Sequence, residues 1–347
     1  MGKIPIKFKS RHLKIHKSYK SPDLNSKTVL SADTWEYVEM WLKRENEQKA
    51  LFFWRQSKSF FEATLKLPKT SAPLTAYYCF LNAAKALLIV KKSSFSDDHG
   101  VSGDTESGNT SLSNEIVEFK RNGVLGGLCE YMDEGRSNDE YTLKDIFYNL
   151  PYIHRSYSLT FSSQPELFIP IHKPKFYRKN GSKESWLSFE IIDKKFTNGH
   201  TLNKLPDKYE RNEYFDDSYV IRRTNRFRWH TGSDKKENSL RNITNYHRKC
   251  RKDIYYIYGK ERLWYLKRKA NINETIIPRS TITLTFAAMH RLSELSRYDP
   301  VKLEKHFDSQ HNWLLSEFIE TSILQYIDNI SSEITGKEFM MPGRKVK

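Results

Sequence analysis

Arginine 241, the asparagine directly after it and histidine 247 lie together in the stretch SLRNITNYHRKC. These are residue types that can cleave RNA without a metal. The histidine can take and return a proton, while the arginine holds the charge that builds on a pentavalent phosphate. Because two side chains suffice, the pattern is common. Arg11 with His16, five apart, and Arg223 with His230, seven apart, are similar Arg–His pairs, and about two such pairs are expected by chance in a chain of this composition. Six positions along a regular helix turn through about 600°, so Arg241 and His247 share a face only if the arginine sits in an irregular first turn. With Ser239 as a cap and Leu240, Ile243, Tyr246 and Cys250 as an apolar side, an ordinary basic helix is the plainer reading.

Two other groups compete with it. His290, Glu294 and Arg297 are spaced four and three apart, which lines up a base, an acid and a fixed cation along an otherwise apolar helix. Polar groups in such a place must be paired or reactive. The structural alternative is a His–Glu–Arg network in which Arg297 holds a C-terminal carbonyl. His99 and Gly100 follow Asp97 and Asp98 at the start of a long polar stretch, and a histidine beside glycine in a loop can approach a phosphate or a base closely. Its alternative is a turn residue satisfied by water. Asn82 and Lys85 interrupt an apolar run and either hydrogen-bond within a bundle or enter a pocket.

A binding surface is suggested by VIRRTNRFRWH, where Arg222, Arg223, Arg226 and Arg228 alternate with Phe227 and Trp229. On a strand Arg226 and Arg228 share one face and the aromatics the other, so the cations can meet a phosphate backbone. Lys249 and Arg251 extend the basic character. The alternative is an edge strand blunted by charge. Metal sites are not indicated. His12 and His16 stand four apart with no carboxylate nearby, and Glu190 with Lys194 does not complete a metal-nuclease motif. No cofactor is expected. Cys79, Cys129 and Cys250 are distant and odd in number, which suits neither a disulfide framework nor a zinc knuckle and fits a reducing cytoplasm.

The elements that must position these residues follow from periodicity. Residues 1–30 read as a basic arm. From Asp33, DTWEYVEMWLKR and ALFFWRQSKSFFEATL carry apolar residues at helical spacing. A third helix, AYYCFLNAAKALLIV, is almost wholly apolar, with Ser71 as its cap and Pro73 in its first turn. It is shorter than the ~20 residues of a membrane span and carries Asn82 and Lys85, so no transmembrane helix is expected. Residues 93–114 read as a polar loop, EIVEF as a strand running into an Asn122–Gly123 turn, and 142–149 as a short helix. Residues 156–270 are β-rich and basic, and helices return at 281, with stops at Asp299–Pro300 and Gly336. The expected divisions are therefore 1–30, 31–155, 156–270 and 271–347.

The blocks PLTAYYCFLNAAKALLIV, HGVSG, EIVEFKRNGVLGGL and MHRLSELSRYDP, with the closing helix to ITGKEF, resemble in order and spacing the YaaC-like family of bacterial proteins over about residues 50–336. The resemblance implies no particular activity. It favours His99, His290 and Arg297, which lie in matching blocks, over Arg241 and His247, which do not.

Charge supplies the rest. Lys and Arg number 58 against 42 Asp and Glu, a net +16, and 20 Tyr, 20 Phe and 7 Trp are spread among the cations. A polyanion is the natural partner. The fold expected is α+β: N- and C-terminal helices packed as one core, in an arrangement that would suit HEPN-like proteins, with a β-rich segment inserted. The function expected is RNA-directed, metal-independent cleavage of the kind used in bacterial defence or toxin systems. RNA is favoured over DNA, with a protein partner in a defence complex and no membrane. The alternative is a subunit that binds nucleic acid or a partner without cleaving.

Overall fold

The computed structural model describes residues 2–212, 219–232, 235–259, 261, 263–269 and 274–340. The chain is α+β and divides into two compact units. One combines residues 1–29, 167–274 and 336–338. The other combines 30–166, 275–335 and 339–347.

The first, the sheet unit, is built on antiparallel strands in the order Tyr209–Arg211, Tyr219–Arg223, Glu184–Ile191, Phe168–Lys179, Leu263–Lys267, Ile254–Ile257. The helix Lys236–Arg251 contributes Ile243, Tyr246 and Cys250 to a core shared with Phe176, Leu187, Phe189 and Leu266. The N-terminal segment does not stand apart as an arm. Lys3–Pro5 pairs with Phe168–Lys179, and Lys7–Phe8 pairs with Arg11–His12 in a tight hairpin. Its alternation of polar and apolar residues sends Ile6, Phe8, Leu13 and Ile15 into the same core while the lysines between them face out.

The second, the helical unit, centres on Ala72–Val90, which packs against Gln48–Thr64, Thr281–Tyr298 and Asn312–Thr335. N- and C-terminal helices thus share one core. By length and composition Ala72–Val90 could cross a membrane, but 61% of that stretch is buried within the unit. Asp33 caps the helix Thr34–Arg44 by accepting from the amides of Trp35 and Glu36, and Ser280 caps Thr281–Tyr298. Ser71 occupies the expected cap position but makes no capping bond through its side chain. The stretch 93–114 is not all loop, because Val101–Thr105 pairs with Glu115–Phe119, which pairs with Glu140–Thr142. Asn122 and Gly123 open the helix Gly123–Tyr131 instead of a hairpin turn.

Candidate functional site

The main chain of His99 is fixed by a close crossing of two glycines. Gly100 has φ +77° and Gly123 φ +88°, conformations that disfavour side chains. A Cβ on Gly123 would lie 2.4 Å from Gly100 Cα, and one on Gly100 would lie 2.6 Å from the Asn122 carbonyl. The two chains cross where only glycine fits. The crossing brings the carbonyls of Asp98 and His99 to the first free amides of the helix Gly123–Tyr131, accepting from Val124 at 2.8 Å and Leu125 at 3.1 Å. The histidine therefore sits on a fixed turn, not a flexible loop.

Against it stand Tyr77 from Ala72–Val90 and His290 from Thr281–Tyr298. Tyr77 Oη is 2.8 Å from His99 Nδ1. The His290 ring meets Tyr77 edge-on at 4.7 Å between centroids and His99 at 5.5 Å. Behind His290 runs a chain of charges. Its Nδ1, which has no hydrogen bond, lies 3.8 Å from Glu294. Glu294 accepts from Arg291 at 3.0 Å, Arg291 reaches the fully buried Glu115 at 2.8 Å, and Glu115 meets His306 at 3.0 Å. Gly103 admits this network, since a Cβ there would come within 2.4 Å of Arg291 and 2.5 Å of Glu294.

The environment sets the protonation states. Burial, then His99 and Arg291, lower His290 to about 3, so it is neutral. His99 is lowered by burial and by Lys85 and Arg297, with Asp98 opposing. Burial raises both Tyr77 and Glu294, and Tyr77 keeps its proton. For Glu115 burial pushes upward, but His306 and Arg291 outweigh it and keep the carboxylate charged. With Tyr77 on Nδ1, the half-exposed His99 has Nε2 left for a ligand.

Of the residues singled out from sequence, His99 and His290 are thus brought together, and Arg297 is exposed and close enough to influence His99. Glu294 pairs with Arg291 rather than with Arg297, whose guanidinium stacks on Tyr298 at 4.8 Å. Lys85 bridges to Asp97 at 3.0 Å, while Asn82 turns back to the Tyr78 carbonyl. Arg241 and His247 do not form a site. Arg241 is exposed and bonded to Asn238, whereas His247 is fully buried and accepts from the His16 amide at 3.0 Å. Tyr77, Arg291, Glu115 and His306 were not singled out. The i, i+3 spacing of Arg291 and Glu294 was the available signal for part of that set.

The basic cluster also needs correcting. Arg223 is 3% exposed, over Tyr246, and Arg251 is 1% exposed, over Tyr19 at 3.9 Å, so neither offers a surface charge. Arg226 lies between the strands Tyr219–Arg223 and Phe227–Arg228 and pairs with Glu184 and Glu210, and Arg222 pairs with Glu210. Arg228 and Lys249 are exposed. Charge nonetheless segregates by unit. In the sheet unit 35 Lys and Arg stand against 15 Asp and Glu, a net +20, whereas the helical unit has 23 against 27, a net −4. Among the described residues no three His, Cys, Asp or Glu cluster as a metal site requires.

An α+β chain with this order of blocks defines a family rather than a known enzyme class. The chain belongs to the YaaC-like protein family, whose model matches residues 14–334. No curated protein and no solved structure matches it.

Proposed function

We propose that the protein is an RNA-directed effector of the bacterial defence or toxin kind, acting in the cytoplasm and cleaving without a metal at His99. The observation that carries this is the meeting of His99, His290 and Tyr77 with Lys85 and Arg297 close enough to act on the same imidazole. Neutral His99, its Nδ1–H donated to Tyr77 Oη, takes the 2′-hydroxyl proton through Nε2, the 2′-oxygen attacks phosphorus, and the imidazolium returns the proton to the departing 5′-oxygen. The products are a 2′,3′-cyclic phosphate and a 5′-hydroxyl. Lys85 and Arg297 stabilise the phosphorane, and a phosphate beside them favours the imidazolium that the second half of the reaction needs. Tyr77 and His290 hold the ring in place. A HEPN-like arrangement of the helical unit fits this reading, with its active histidine at 99 and not at 247.

Binding without cleavage is the second reading, favoured by the +20 of the sheet unit against the −4 of the unit that holds His99. Incubating the full chain with structured RNA and with an all-deoxy strand, both in EDTA, separates them. Cyclic phosphate ends from RNA alone support cleavage. RNA retarded but intact supports binding. Cleavage of both strands, or of neither until magnesium is added, rejects the mechanism.

A further inference from the structure

The sheet unit holds a cavity lined by none of the residues given a part in the proposed reaction. The hairpin Lys7–His12 turns on two residues with positive φ, Lys9 at 46° and Ser10 at 64°, and delivers Arg11 and His12 to the wall of a cavity of about 470 Å³. That is within the ~300–1,000 Å³ usual for small-molecule sites. Lys14 follows on the same segment, and Lys27 comes from the loop opposite.

The acids of the cavity are engaged by the protein itself. Asp23 bonds Lys337 and the Asn25 amide, and Lys337 holds its carboxyl below the usual range against the opposing effect of burial. Glu338 accepts the Lys17 amide at 3.1 Å. Arg11 and Lys27 are not matched in the same way. Lys27 is exposed and makes no ion pair among the described residues. Arg11 spends one Nη on the Asn25 carbonyl at 2.6 Å, which leaves most of its five N–H donors. His12 is pushed down by burial and then by Lys7, Lys175 and Lys14. Leu13 and Leu24 supply apolar wall.

We infer that this cavity binds a phosphate monoester, its phosphate held by Arg11 and Lys27 and its organic part lying along Leu13 and Leu24. The phosphate could belong to a free metabolite or to the 5′ end of a nucleic acid, which share the same chemistry. Calorimetric titration of the full chain with AMP, with ribose 5-phosphate and with 5′-phosphorylated and 5′-hydroxyl forms of one short oligonucleotide distinguishes the sources.

The expected result is binding of the small phosphates that weakens at least about tenfold in Arg11→Gln/Lys27→Gln, with an unchanged melting temperature. The single variant Lys27→Glu should show the same loss should the double variant fold poorly. The His12 ring, followed by NMR, should titrate at higher pH with AMP bound, because an anion beside an imidazole favours its charged form. A preference for the 5′-phosphorylated oligonucleotide over its hydroxyl form, lost in the same variants, assigns the phosphate to a nucleic-acid end and supports the site equally. No binding of any phosphate at millimolar concentration, or binding that the variants and His12 do not register, overturns the inference. None of these readouts depends on RNA cleavage.

Discussion

In the sheet unit a histidine six positions after an arginine is wrapped in main chain, while in the helical unit two histidines distant in sequence meet over one tyrosine. The pair that looked reactive on paper is the one that folding separates. His247 lies on the buried side of an amphipathic helix and Arg241 on the exposed side, which is what six positions of a regular helix require. His99 and His290 lie on different elements, and the glycine crossing brings the first to the second. The units differ as much in charge, so affinity for a polyanion and proton transfer need not reside in the same part of the chain.

The largest effect that could break this contrast is catalytic. His99→Ala should lower RNA cleavage by about 10²- to 10⁴-fold, while His247→Ala leaves the rate per folded molecule unchanged. Single-turnover assays of both decide it, and equal losses would mean that the two histidines are not distinguished by burial as argued. Next comes salt. Six or more phosphate contacts on the sheet unit should reduce RNA affinity by about 10³-fold or more from low to physiological salt. A flat dependence in fluorescence anisotropy would remove the role assigned to its charge.

Stability sharpens the contrast further. Gly123→Ala should cost about 1–3 kcal/mol or more in urea unfolding, because it combines a positive φ with a backbone clash. Gly181→Ala in the sheet unit, at φ +71° with open space around its Cβ, should cost only about 1–2 kcal/mol. Equal costs would mean that the crossing is not tight.

His247 and His290, both buried, should behave alike towards acid. Both fold with lowered pKa, so the unfolded chain binds the extra proton. The stability from keeping them neutral is present above the unfolded value of about 6.5 and is lost as pH falls, towards about 3 for His290 and lower than its ordinary value for His247. Each should add a slope of about 1.4 kcal/mol per pH unit within that window, and His290→Gln should remove one of them. The smallest effect is at Arg228. Arg228→Ala should lower the salt slope of RNA binding by about one with stability within about 0.5 kcal/mol, whereas Arg226→Ala, which breaks pairs to Glu184 and Glu210, should cost about 1 kcal/mol.

What the sequence made legible was local. Helical spacing located Thr34–Arg44, Gln48–Thr64 and Ala72–Val90, and Pro300 and Gly336 marked real ends. The histidines at 99 and 290 could be picked out because each interrupts its surroundings. Their meeting could not, since it depends on two glycines passing each other. Tyr77 was hidden inside an apolar run where an aromatic residue reads as core. Arg223 and Arg251 were misplaced for the opposite reason. A guanidinium stacked on Tyr246 or Tyr19 can be buried with its carbonyl and sulfur partners, and nothing in a run of basic residues says which members will do so.

The cysteines have a use of another kind. Cys79 and Cys129 in the helical unit and Cys250 in the sheet unit are buried, and burial pushes each thiol up to about 12. A disulfide reagent attacks only thiolate that it can reach, so the native chain should keep in air without reductant and label only when it opens. Labelling each position in turn, with the other two replaced by serine or alanine, then yields an opening free energy for each unit separately. The fold carries its own clock in both halves.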